Sequence, residues 1–118
     1  MKKLNIIYNH NIFESPYKQT EVKKTGNAIK EKFGNDIEIF VSCASNHSPN
    51  PFFDDTDLII VEHSFVMSGE EKSTMALILN KGVTKVKNTD PHERLDVLVT
   101  FRKIEEDDIY YFPKGEVK

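Results

Sequence analysis

The run Leu58-Ile59-Ile60-Val61, closed off by Asp57 on one side and Glu62 on the other, limits what this chain can fold into more than any other segment. Consecutive aliphatic residues show no alternation between an inner and an outer face. The run therefore reads as a central strand of a parallel sheet, covered on both sides. A parallel sheet needs crossover helices between its strands, and the first part of the chain supplies one. Leu4 to Tyr8 is a short apolar strand that ends in Asn9-His10-Asn11. Ser15-Pro16 then provides an N-cap followed by proline at the first helical position. Val22, Ile29 and Phe33 recur at helical spacing, and Gly34-Asn35 closes the helix. Ile37, Ile39 and Val41 alternate with Glu38 and Phe40 as a second strand. Residues 4–41 thus form a β-α-β unit, with the first strand and Leu58–Val61 expected to lie adjacent and parallel.

The second half leaves two readings open. Ser68-Gly69-Glu70-Glu71 has capping-box spacing, Met75, Ile78 and Leu79 share one helical face, and Gly82 stands where a C-cap would. The preferred reading is a helix over 69–81 followed by a weak edge strand over Val83–Lys87. The rival is a hairpin pairing Met75–Leu79 with Val83–Lys87 across Asn80-Lys81-Gly82. Asp90-Pro91-His92-Glu93 resembles another helix start. Leu95–Phe101 and Ile109–Phe112 read as a terminal antiparallel pair around the acidic turn Glu105–Asp108. The expected fold over residues 1–118 is one α/β domain, Rossmann-like and three-layered, with a mixed sheet; with the hairpin at 75–87 it becomes α+β.

Composition narrows the partners. With 118 residues a second core is not expected, and one cysteine, Cys43, excludes an internal disulfide and suits a reducing compartment. Cys43 is expected as a small buried hydrophobe at a strand end. The basic start Met1-Lys2-Lys3 has too short an apolar stretch behind it for a signal peptide, and no run has the length of a membrane span. The expected location is the cytoplasm. A net charge of −3 with scattered lysines gives no basic stripe for duplex nucleic acid. A small molecule or another protein, including a second copy in a homodimer, is the expected partner.

In open α/β sheets ligands collect beyond the carboxyl ends of parallel strands. With strands one and three parallel, that rule gathers Asn9, His10 and Asn11, His47 from the loop 44–56, and Glu62-His63-Ser64 with Ser68 and Gly69 along one rim. The helix start beyond Ser68 offers unpaired N–H groups. Three histidines with Asp54 or Asp55 would be a metal group, but no pair has the i, i+4 spacing of a zinc motif, and no metal or other cofactor is expected. Phe52-Phe53 reads as a pair closing the core beneath the loop, or as a stacking platform for a ring.

Asp54-Asp55-Thr56-Asp57 leading into Leu58–Val61, then Glu62-His63-Ser64, Ser68-Gly69-Glu70-Glu71 and Ala76–Gly82, resembles the nucleoside 2-deoxyribosyltransferase-like group over residues 54–87. In that group a similar strand leads through a glycine-rich turn to a helix bearing a nucleophilic glutamate. Where that glutamate falls, this chain has Ser73 or Thr74, and Glu71 is the nearest carboxylate. The resemblance implies a nucleoside or nucleotide ligand at a degenerate transferase site, with Glu71 and His63 as catalytic candidates and Asn9, His10, Asn11, His47, Ser64, Ser68 and Gly69 as ligand-binding candidates. The alternative is a non-catalytic binding or inhibitor protein acting on a small signalling nucleotide or on a protein.

Overall fold

The computed structural model describes residues 2–9, 12–44, 57–87, 96–110 and 112. Strand β1 (Lys2–Tyr8), helix α1 (Pro16–Phe33) and strand β2 (Ile37–Cys43) are followed by β3 (Asp57–His63), α2 (Gly69–Lys87) and β4 (Val97–Lys103). The strands form one sheet in the order β2-β1-β3-β4. β1 is parallel to β2 and β3 to β4, while β1 and β3 are antiparallel, with Leu4 opposite His63 and Tyr8 opposite Ile59.

The first half follows its sequence signals closely. The Ser15 hydroxyl accepts the Lys18 N–H at 3.2 Å, Pro16 opens α1, and Gly34 ends it at a φ of 119°, donating its N–H to the Lys30 carbonyl at 2.8 Å. That φ excludes most side chains, which explains a glycine at this position. Cys43 is the last residue of β2, as expected, and is half-buried against the core.

The second half departs from expectation in four ways. First, β1 and β3 are adjacent but antiparallel. The chain leaves β2 at Cys43, beside Tyr8, and re-enters the sheet at Asp57, near the same end of β1. A parallel return would need a crossover running the length of the sheet, and segment 44–56 has no helical periodicity to build one. Second, the aliphatic run of β3 is not sandwiched. Ile59 and Val61 are fully buried beneath the helices, whereas Leu58 and Ile60 lie half-buried on the opposite face.

Third, α2 does not stop at Gly82 but continues to Lys87, so the hairpin is excluded and Val83–Lys87 is helix rather than edge strand. Val83 and Val86 extend the apolar stripe of Met75 and Leu79 into the core. Gly82 is in the helix because α1 packs against α2 at that point: a β-carbon on it would lie 2.9 Å from Thr25 Cγ2 and closer still to Thr25 Oγ1. Fourth, Glu106–Asp108 is a short 3-10 turn, and the described residues after it, Ile109, Tyr110 and Phe112, form no strand. Asp90–Glu93 and Phe52-Phe53 lie outside the described residues.

The result is an α+β domain, not a three-layered Rossmann-like one. Two β-α-β crossovers are joined through an antiparallel central pair, and both helices lie on the same face of the sheet. Leu4, Ile6, Tyr8, Ile37, Ile59 and Val61 meet Val22, Ile29, Met75 and Leu79 in one core there. Among the described residues no α-helix or strand packs on the other face. It carries Ile7, Phe40, Leu58, Ile60 and Leu98, with one polar band in which Asn5 donates to Glu62 at 2.9 Å and Arg102 lies 3.9 Å from the same carboxylate. Among the described residues no helix is long and apolar enough to cross a membrane.

Candidate functional site

The antiparallel pairing divides the expected rim. The Asn9 N–H donates to the Leu58 carbonyl at 3.2 Å at one end of β1, while the Ser64 N–H donates to Lys3 at 3.0 Å near the other. The register separates Asn9 from His63 by about five strand residues, or about 17 Å. His10, Asn11 and His47 lie outside the described residues, as do Asp54 and Asp55. Among the described residues no cluster of His, Cys, Asp or Glu is arranged to hold a metal.

At the His63 end the sequence candidates do come together. His63 is the last residue of β3 on the helix-bearing face and is only 2 % exposed. Its Nδ1 is 2.7 Å from the Phe65 carbonyl. A carbonyl can only accept, so Nδ1 carries a proton, and in the neutral ring Nε2 is the acceptor nitrogen. Among the described residues Nε2 is buried without a hydrogen-bond partner, and the ring stands edge-on to Phe65 and Phe101, with centroids 6.0 and 6.3 Å away. His63 is therefore shut off from solvent within the chain. The Ser64 hydroxyl accepts the Lys3 N–H at 2.8 Å and extends the β1–β3 ladder.

Ser68 and Glu71 form the reciprocal cap expected from their spacing. The Glu71 N–H donates to Ser68 Oγ at 3.1 Å, and the Ser68 N–H donates to Glu71 Oε1 at 3.0 Å. The bond from the Ser68 amide, with that from its hydroxyl and the charge of Lys2, holds the Glu71 carboxyl below the usual carboxylate range. Gly69 opens the helix with open space around its α-carbon.

Lys2 is the residue at this end that the sequence reading passed over. It shares the helix-bearing face of β1 with Leu4, and its ammonium stands 5.5 Å from the Phe65 ring centroid and 3.9 Å from Asp36. Lys103 occupies the matching place on β4, opposite His63 in the register. The signal for Lys2 was its alternation with Leu4 and Ile6, which puts it on the core face at the end of a strand. The surface at this end thus holds an ionised, fully exposed carboxylate, Glu71, within electrostatic reach of an ammonium, Lys2. Such a pair offers an ammonium to an anionic group and an acceptor carboxylate beside it.

A second concavity, of about 820 Å³, runs between α2 and β4 toward the opposite end of the sheet, bordered by Leu77, Lys81 and Lys85 on the helix and by Val97 and Val99 on the strand.

No family model matches this sequence, and no curated protein matches it. Solved structures do. A fused 4-OT wild-type symmetric trimer aligns over 91 % of this chain and 89 % of its own, at 18 % identity and a TM-score of 0.58. Macrophage migration inhibitory factor of Toxoplasma gondii aligns over 92 % and 95 %, at 9 % identity and a TM-score of 0.58. A 5-carboxymethyl-2-hydroxymuconate isomerase from Deinococcus radiodurans R1 aligns over 94 % and 88 %, at 12 % identity and 0.51. At these identities the similarity is one of fold. It overturns the deoxyribosyltransferase-like resemblance, and with it the nucleoside or nucleotide ligand, the glycosyl-transfer role for Glu71 and the reading as a nucleotide-directed binder or inhibitor.

Proposed function

We propose that this chain is the subunit of a homo-oligomeric isomerase that moves a proton within a small unsaturated hydroxy acid. The observation that carries the reading is the juxtaposition of Glu71, ionised and reachable, with Lys2 at the end of the sheet. In an enol acid of the hydroxymuconate kind, isomerisation removes the enol proton and returns a proton to carbon, with no net gain or loss of atoms. Lys2 would pair with the substrate carboxylate and oppose the charge of the dienolate, while Glu71 would carry the proton. Two of the chains with this fold bear the name of such an isomerase, and a third is described as a symmetric trimer.

The uncovered sheet face supports the oligomer. Ile7, Phe40, Leu58, Ile60 and Leu98 lie together on a sheet whose other face carries both helices. An apolar face of this kind marks an interaction surface. The experiment is an absorbance assay of 5-carboxymethyl-2-hydroxymuconate with the wild-type protein and with Glu71→Gln. Glutamine preserves the cap but cannot accept a proton as a carboxylate does. The expected result is turnover by the wild type and a loss of 10²-fold or more in kcat for the variant. Absence of wild-type turnover, or full activity in Glu71→Gln, would end this reading.

A further inference from the structure

Between the last rung of the β1–β3 ladder at Ser64 and the helix cap at Ser68 the chain crosses a short connection, Phe65-Val66-Met67. Among the described residues, the one hydrogen bond that this connection makes joins the Phe65 carbonyl to His63 Nδ1, at 2.7 Å. Met67 anchors the connection in the core, and Val66, 81 % exposed, anchors nothing. A side chain bonded to a backbone group two residues on pins a turn as an Asx turn does. The donor ring is almost fully buried, and a hydrogen bond in such surroundings is stronger than in water.

The same imidazole has an unfavourable side. Among the described residues Nε2 has no partner, and a buried acceptor left unpaired destabilises the fold. An aliphatic side chain between Phe65 and Phe101 would fill the space without that penalty, so packing alone does not account for a histidine here. The Nδ1 bond does. Both charged groups of the site depend on the turn that it pins. Phe65 presents its ring to the Lys2 ammonium. The exit of the turn orients Ser68, whose hydroxyl and amide hold Glu71. Lys2 and Glu71 belong to different elements, β1 and α2, and the turn at Phe65 is where the two are brought together.

We infer that His63 is a positioning residue: its Nδ1–H, through the Phe65 carbonyl, holds the turn that sets the Lys2 ammonium and the Glu71 carboxylate relative to each other. At 2 % exposure the imidazole does not reach a ligand itself. The inference rests on the isomerase reading above for the use of the pair. The placement of the pair can be measured without any substrate.

The test compares the full-length wild type with His63→Asn and His63→Leu, with folding checked by circular dichroism. Asparagine carries an amide N–H where Nδ1 stands, and leucine keeps an apolar side chain without a donor. Phe101→Leu, which trims the other wall around the imidazole, is the control. Exchange of the Ser68 and Glu71 amide protons reads the cap. His63→Leu is expected to speed that exchange about tenfold, with His63→Asn and Phe101→Leu near the wild type. In the isomerase assay His63→Leu should lose about 10²-fold in kcat/KM, as a small misplacement of reacting groups does, and His63→Asn should keep most of the activity. Wild-type exchange in a folded His63→Leu would overturn the inference. Equal losses in His63→Asn and His63→Leu would also overturn it, by assigning the role to Nε2. If His63→Leu does not fold, nitrogen NMR of the wild-type imidazole and the exchange of His63→Asn decide. A proton on Nε2 instead of Nδ1, or a loosened cap in His63→Asn, would then overturn it. Absence of wild-type turnover, with the cap still loosened by His63→Leu and kept by His63→Asn, would remove the isomerase reading and leave the positioning role standing.

Discussion

Thr25 on α1 stands directly against Gly82 on α2, so close that a β-carbon at position 82 would overlap its side chain. The Thr25 hydroxyl is fixed there by its bond to the Glu21 carbonyl at 2.9 Å. This contact decides how close the two helices approach, and with it how the core beneath them closes.

The first prediction follows directly. In an unconstrained helix Gly→Ala stabilises by about 1 kcal/mol, but overpacking here costs about 1–3 kcal/mol. Gly82→Ala is expected to destabilise the protein in urea unfolding, and Thr25→Ala in the same chain is expected to recover most of the loss. A stabilised Gly82→Ala single variant would mean that the helices do not cross at this point.

A second prediction concerns acid. Because hydrogen bonds from Ser68 lower the Glu71 carboxyl in the folded chain, the folded state holds that proton less readily than the unfolded one. The associated stability is present above the ordinary carboxylate value of about 4.3 and is lost as pH falls through the lowered folded value. Glu71→Gln should flatten the decline of stability as pH falls below the ordinary carboxylate value. Ser68→Ala removes the N-cap and should cost about 1 kcal/mol at neutral pH.

Neighbouring residues of β3 should respond differently to the same truncation. Ile59→Ala opens a cavity in the core and is expected to cost about 2–5 kcal/mol. Ile60, expected in the core from the aliphatic run, lies half-buried on the uncovered face, so Ile60→Ala should cost less than about 1.5 kcal/mol in dilute protein and chiefly weaken self-association, measured by analytical ultracentrifugation. Equal losses of stability for the pair would mean that the second face is covered within the chain.

At high pH the sensitive group is Tyr8. Burial pushes its phenol up to about 12, above the ordinary value of about 10. The unfolded state therefore releases this proton first, and the stabilisation present below pH 10 is lost as pH rises toward 12. Alkaline titration at 295 nm should show a tyrosine that ionises only in that upper range or on unfolding. Tyr8→Phe should remove that late step; a late step that persists in the variant would assign it elsewhere.

Local signals were legible where a short stretch carries the whole physical reason. The Ser15-Pro16 entry, the Gly34 exit and the Ser68–Glu71 cap each depend on groups within one helical turn, and each is formed as its spacing implies. Gly82 was misread because a glycine that ends a helix and a glycine that admits a neighbouring helix are the same letter, and Thr25, which distinguishes them, lies far away in the chain. The direction of β3 was hidden for a similar reason. Leu58 and Ile60 are as apolar as Ile59 and Val61 because one pair serves an inner face and the other an uncovered one, which erases the alternation a one-sided sheet normally shows. That error placed Asn9 and His63 on one rim and directed attention away from Lys2, at the opposite end of β1 from Asn9.

The antiparallel junction of β1 with β3 makes the molecule two β-α-β halves laid back to back, joined covalently through a segment whose ends, Ala44 and Asp57, open at the same end of the sheet. Neither half completes a sheet or a core alone, since the central ladder and the helix-to-helix contact lie between them. Joining the halves in one chain therefore supplies effective concentration. A chain severed there would be a pair of complementary fragments, each the template for the other, with recombination limited by their meeting rather than by the information either carries.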